Sequence, residues 1–137
     1  MKKVLIAEDC NVTRAILRKI LANEGFVSIE ATDGERALSV LQDNPDIELL
    51  ITDMMMPKFS GRELVLTLRG NDVFKQLPII VVSGIVRLSE IADILELGAT
   101  RFLPKPLDTS HLTQYLRSLC SDIATVKVNG DDSLSSH

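Results

Sequence analysis

The chain has 137 residues, a length that suits one domain, and 45% of them are hydrophobic against 25% charged, so it can bury a true interior and is not a disordered segment. A formal charge of -4 gives it no general attraction for nucleic acid or anionic lipid. No apolar run approaches the roughly 18 residues of a membrane span, and the two cysteines, Cys10 and Cys120, lie far apart without metal-ligand spacing, as expected of reduced thiols in a cytoplasmic protein.

Taken in chain order, Val4-Leu5-Ile6-Ala7 is the first of three short runs with almost no polar residue. The others are Leu49-Leu50-Ile51 and Ile79-Ile80-Val81-Val82. Such runs read as strands covered on both faces, which a parallel sheet between helical layers requires. Weaker strand candidates are Val27 to Ala31 and Arg101 to Leu103.

Between them, apolar residues recur at helical spacing: Val12, Ile16 and Ile20; Ala37, Leu38 and Leu41; Leu88, Ile91 and Leu95; Leu112, Tyr115, Leu116 and Leu119. Asn23-Glu24-Gly25 closes the first helix, Asp33-Gly34 opens the second, Gly61 starts the third, Leu97-Gly98 ends the fourth, and Asp108 or Thr109 caps the fifth. Strand and helix alternate five times, the order of an α/β sheet with right-handed crossovers and helices on both faces. Residues 1–121 are expected to form one domain; the Asp- and Ser-rich remainder, 122–137, reads as a flexible tail.

In an open parallel sheet, ligands gather at the carboxyl ends of the strands. There this sequence puts Glu8 and Asp9 after the first strand, Asp53 after the third, Ser83 after the fourth and, one short loop later, Lys105 after the fifth. A single acid at a strand end is an ordinary turn residue. Three together repel one another, so the site must either keep one protonated or hold a cation. With oxygen donors only, the cation should be hard, and magnesium is the first choice. One Mg²⁺ and one lysine balance three carboxylates, and the pocket can then accept a phosphoryl group on the Asp53 carboxylate.

The residues Glu8-Asp9, Asp53-Met54-Met55-Met56-Pro57 with Gly61, Ser83-Gly84 and Phe102-Leu103-Pro104-Lys105-Pro106 resemble the CheY-like receiver domains of two-component response regulators, over roughly Lys2 to Leu119. The resemblance implies a doubly wound five-stranded parallel sheet of order 2-1-3-4-5, a flavodoxin/CheY-like three-layer sandwich. It implies that Asp53 is the phosphoacceptor, and that Asp9, Asp53 and the backbone carbonyl of Met55 bind magnesium, with Glu8 acting through a water. Lys105 and Ser83 would hold phosphoryl oxygens, Phe102 would be the switch aromatic, and the Lys105-Pro106 peptide would be cis. Met55 and Ile85 occupy the positions that tune the lifetime of the phosphorylated state. Both are apolar and cannot orient an attacking water, so slow self-dephosphorylation is expected.

The implied partners are a sensor histidine kinase or phosphotransfer protein upstream, read through Asn11, Arg14 and Arg18, and a protein target downstream, with no direct role for nucleic acid or membrane. The implied output face carries Arg87, Glu90, Arg101 and His111. Since no effector module follows Ser121 in this sequence, a stand-alone switch rather than an enzyme is expected.

Three other readings compete. An FMN-binding module would need phosphate-binding donors after the first strand, where Glu8-Asp9-Cys10 puts negative charge instead. A haloacid-dehalogenase phosphatase would carry an Asp-x-Asp pair after that strand. A receiver-like module that is never phosphorylated would have no need of the complete set of acids, hydroxyl and lysine. Met54 to Met56 suggest a soft-metal box, but no second soft cluster accompanies them.

Overall fold

The computed structural model describes residues 2–84 and 87–119. Five parallel strands, β1 (Lys2–Ala7), β2 (Phe26–Ala31), β3 (Ile47–Asp53), β4 (Ile79–Ser83) and β5 (Arg101–Pro104), lie in the order β2-β1-β3-β4-β5. Four helices alternate with them: α1 (Asn11–Asn23), α2 (Gly34–Asp43), α3 (Gly61–Arg69) and α4 (Leu88–Leu97). This is the doubly wound flavodoxin/CheY-like arrangement. Strand order reverses between β1 and β3, so the carboxyl ends of those two strands face each other across the switch point.

Alternation along the strands divides the interior. Leu5, Ala7, Leu50, Ile79 and Val81 pack with Ala37 and Leu41 of α2, Leu64, Val65 and Leu68 of α3 and Ile94 of α4 in one core. The intervening Val4, Ile6, Leu49, Ile51, Ile80 and Val82 are equally buried on the opposite face, where α1 buries Leu17, Ile20 and Leu21. Both faces are thus apolar, which is why these strands read as unbroken hydrophobic runs.

On α1 and α4 the side that faces inward differs from the apolar spacing, whereas Ala37 and Leu41 of α2 are buried as spaced. Val12 and Ile16 are 68% and 40% exposed, because the side of α1 turned inward runs through Leu17 and Leu21 and these two residues flank it. On α4 only Ile94 is fully buried, whereas Leu88 is 85% exposed.

The helix ends follow the expected punctuation. The Asp33 side chain accepts from Arg36 N–H at 2.8 Å, and Gly25 and Gly98 take positive φ after α1 and α4. A capping box joins Ser60 and Glu63 at the start of α3, a pairing that a Ser-x-x-Glu reading of the sequence would have found. Residues 108–119, described by themselves, form a helix over 109–119 with Leu112 and Leu116 buried, and Asp108 Oδ1 accepts from Ser110 N–H at 3.0 Å. Ile85, Cys120 and the expected tail at 122–137 lie outside the described residues.

One half-buried cation organises the edge of the first core. Arg69, at the end of α3, donates to the carbonyls of Gly98 (2.9 Å), Phe74 (2.9 Å) and Leu77 (2.6 Å), joining the α3–β4 and α4–β5 connections. Burial pulls its pKa down from the usual guanidinium value. Any Cβ at position 98 would lie 2.6 Å from the arginine side chain, so Gly98 is needed for both its φ and its surface. Hydrogen bonds to charged groups contribute about 1.5–3 kcal/mol each and are not additive. Arg69→Met is therefore expected to lower stability by about 3 kcal/mol, seen as an earlier urea unfolding midpoint at unchanged slope. A midpoint equal to that of the native chain would remove this clamp from the account.

Candidate functional site

The site is built where β1, β3, β4 and β5 end. Glu8 and Asp9 follow β1, Asp53 and Ser83 are the last residues of β3 and β4, and Lys105 follows β5. The main chain of Lys105 donates to the Ser83 carbonyl at 2.9 Å, and Met54 N–H donates to Val82 at 3.1 Å, so the sheet ladder itself carries these residues to one edge. Gly61 closes the β3–α3 loop: its N–H donates to Met54 at 2.9 Å, and a Cβ there would lie 2.2 Å from the Asp53 carbonyl. No other residue permits that approach.

Glu8, Asp9 and Asp53 each offer a carboxylate oxygen within 4.8 Å of the others. Glu8 is 1% exposed and Asp53 7%, while Asp9 is open to solvent. Lys105 Nζ sits 3.0 Å from Glu8 Oε1 and 3.5 Å from Asp53 Oδ2. The 3.0 Å contact lacks hydrogen-bond geometry, so Glu8 Oε1 is buried with an ion-pair neighbour but no hydrogen-bond donor. Its other oxygen, Oε2, accepts from Cys10 N–H at 3.1 Å.

Burial raises the Glu8 pKa above the ordinary carboxylate value and the nearby Asp53 charge adds to this, against the lowering effect of Lys105 and Cys10 N–H. For Lys105, burial acts to lower the pKa, and the Glu8 and Asp53 carboxylates outweigh it, so the ammonium stays charged above its usual range. One lysine leaves the three acids with two negative charges, which is the charge of one divalent cation. An all-oxygen donor set with a buried oxygen that lacks a donor fits a hard cation such as magnesium.

The remaining expected residues fall as follows. Met55 is 61% exposed in the β3–α3 loop, two residues after Asp53. Phe102 is half-buried and packs against the main core. The Lys105-Pro106 peptide is cis. A cleft of about 250 Å³ opens beside Ser83, walled by Met54, Met55, Ser60 and Ile94, with Arg62 and Asp93 paired across its mouth at 3.1 Å. Arg87, Glu90, Arg101 and His111 are individually exposed. Arg14, expected as a partner-reading residue, instead turns inward, and nothing local in the sequence announces its contacts.

The family model described as response regulator receiver domain matches residues 4–117. The transcriptional regulatory protein CpxR of Escherichia coli strain K12 is 38% identical over 121 residues, covering 87% of this chain and 49% of its own length. This chain therefore spans about half the length of that relative. The two-component response regulator ORR5 of rice is 32% identical over 120 residues, covering 88% and 87% of the two chains. The structure of the chemotaxis response regulator CheY4 of Vibrio cholerae superposes with a TM-score of 0.79 at 28% identity, covering 87% of this chain and 98% of that one.

Proposed function

The chain belongs to the family of response regulator receiver domains, which act as signalling switches through phosphorylation, and on that premise we propose that Asp53 is its phosphoacceptor in a magnesium-dependent transfer. The observation that carries the reading is the single ammonium of Lys105 set between the buried Glu8 and Asp53 carboxylates at 3.0 and 3.5 Å. A lysine used only as a surface ion pair would not be placed against two buried acids.

Glu8, Asp9, Asp53 and the Met55 carbonyl would hold the ion, with Glu8 acting through a water. When bound, magnesium supplies positive charge against the phosphoryl oxygens and against the charge that develops in transfer. One Asp53 carboxylate oxygen attacks phosphorus in line with the leaving group, the imidazole of a phosphohistidine or the carboxylate of acetyl phosphate. The new bond is an acyl phosphate. Lys105 shifts from its carboxylate partners to a phosphoryl oxygen, and the Ser83 hydroxyl donates to another. The phosphoryl group is thereby a differential contact that biases the fold between two arrangements. Phe102 has no phenol oxygen, so it would report the change through burial alone.

The donor is proposed to be a sensor histidine kinase or phosphotransfer protein, and the signal to leave by contact with another protein. Among the described residues no helix is long and apolar enough to cross a membrane. Intact-mass measurement after incubation with Mg²⁺ and acetyl phosphate tests the reading. One phosphoryl adduct is expected on the native chain and none on Asp53→Ala. No adduct on the native chain would favour a receiver-like binding module that is never phosphorylated.

The lifetime of that adduct is a further expectation. Met55 is apolar and mostly exposed beside Asp53, so it cannot hold an attacking water by hydrogen bonding. Timed loss of the adduct should be faster in Met55→Asn combined with Ile85→Glu, and equal rates would refute the tuning role.

A further inference from the structure

We propose that Arg14 is a positioning residue for the cation site, holding the peptide that joins Glu8 to Asp9 through a charge network anchored on β2. The inference rests on the magnesium reading above and names how this chain keeps the site in shape.

Each polar group of Glu8 has a defined neighbour, Oε1 through an ion-pair contact without a hydrogen bond. Its N–H donates to the Ala31 carbonyl at 3.0 Å, its Oε2 accepts from Cys10, and its Oε1 faces Lys105. Its carbonyl lies past the end of the sheet ladder and before the first turn of α1, where neither element supplies a donor. Arg14 Nη1 donates to it at 2.9 Å. That carbonyl belongs to the peptide group between Glu8 and Asp9, so its direction sets the plane from which both side chains leave.

The guanidinium is itself held in place. Arg14 Nε donates to Glu30 Oε1 at 3.3 Å, Arg18 Nη1 donates to Glu30 Oε2 at 2.5 Å, and Arg14 Nη2 donates to Asn11. Glu30 stands in β2 opposite Ile6 of β1, two residues before Glu8. One arginine thus ties the β1 end, the start of α1 and β2 into a single unit. Only 15% of its side chain is exposed, against 52% for Arg18, so Arg14 faces the site and not a partner. A lysine could not replace it, because a single ammonium cannot serve a carbonyl and a carboxylate in this fork geometry.

A residue that shapes a metal site from behind the ligands typically changes affinity by about 10–100-fold. Calorimetric titration with Mg²⁺ tests the role on the native chain, Asp9→Asn, Arg14→Met and Glu30→Gln, with circular dichroism of the ion-free proteins as the check on folding. Arg14→Met is expected to weaken Mg²⁺ binding within that range and Glu30→Gln to weaken it less. The variant carrying both Arg14→Met and Glu30→Gln should bind no more weakly than Arg14→Met alone, since both act through one network. Phosphorylation of Arg14→Met by acetyl phosphate, which bypasses any docking partner, should return to the native rate at saturating Mg²⁺.

Should Arg14→Met fail to fold, Glu30→Gln carries the test. Native affinity in folded variants would overturn the proposal, as would slowed phosphorylation that added Mg²⁺ does not restore. Weakened binding in Asp9→Asn beside native binding in Arg14→Met would overturn this role alone. No magnesium binding by the native chain would overturn the cation reading as well.

Discussion

Lys105→Met is expected to slow phosphorylation of Asp53 by acetyl phosphate by about 10²–10³-fold, the loss typical when one preorganised group that meets developing charge is removed. The ammonium is the one side-chain cation within 4.0 Å of the Asp53 carboxylate among the described residues, and it is already aimed at Oδ2 from 3.5 Å. The same change strips Glu8 of its counter-charge. Glu8 is 1% exposed and burial already raises its pKa, so the ion-free variant should also protonate Glu8 more readily than the native chain does. Mg²⁺ replaces charge but cannot reproduce an amine at that point, so added ion should not restore the rate. Initial rates by intact mass across a range of Mg²⁺ check this, and a variant within a few-fold of native would show that Lys105 merely balances Glu8.

Asp9→Asn is expected to have the second largest effect, on the ion itself. Asp9 is the exposed member of the acid cluster, so its carboxylate is free of buried partners and available to a cation arriving from solvent. Neutralising it removes one of three negative charges and should weaken Mg²⁺ binding by at least about 10–100-fold, the cost seen even for partners one shell further out. The phosphorylation rate at low Mg²⁺ should fall in step with affinity. A variant that binds as tightly as the native chain would mean that Asp9 is only a surface turn residue.

What could be read from the residues alone follows the physics of each signal. The buried strands were legible because a sheet covered on both faces leaves no room for polar side chains. The polar residues that break this rule, Glu8, Thr52, Asp53 and Ser83, are buried at strand ends, and three of the four form the site. Helices were legible as helices, and Ala37 and Leu41 of α2 are buried as their spacing indicates, but the side that α1 and α4 bury was not legible. Periodicity marks an apolar stripe without saying whether sheet or solvent lies opposite, so Val12, Ile16 and Leu88 look like core and are exposed.

Arg14 and Arg69 were not legible in their roles. Their targets are main-chain carbonyls of Glu8, Phe74, Leu77 and Gly98, and a carbonyl has no identity in a sequence. The chemistry-bearing side chains could be found because they stand at strand ends in a fold whose ligand edge is known. The residues that hold those side chains in place are marked only by contacts that the fold creates.

Borohydride reduction of the phosphorylated protein followed by peptide mass mapping bears most directly on the central claim, because it converts an acyl phosphate into an alcohol at the modified residue. Phosphorylation of one carboxylate under control of a divalent ion predicts homoserine at position 53 when Mg²⁺ is present and none when the ion is chelated. A reduced residue elsewhere, a phosphoryl group on Ser83, or equal modification without the ion would contradict it.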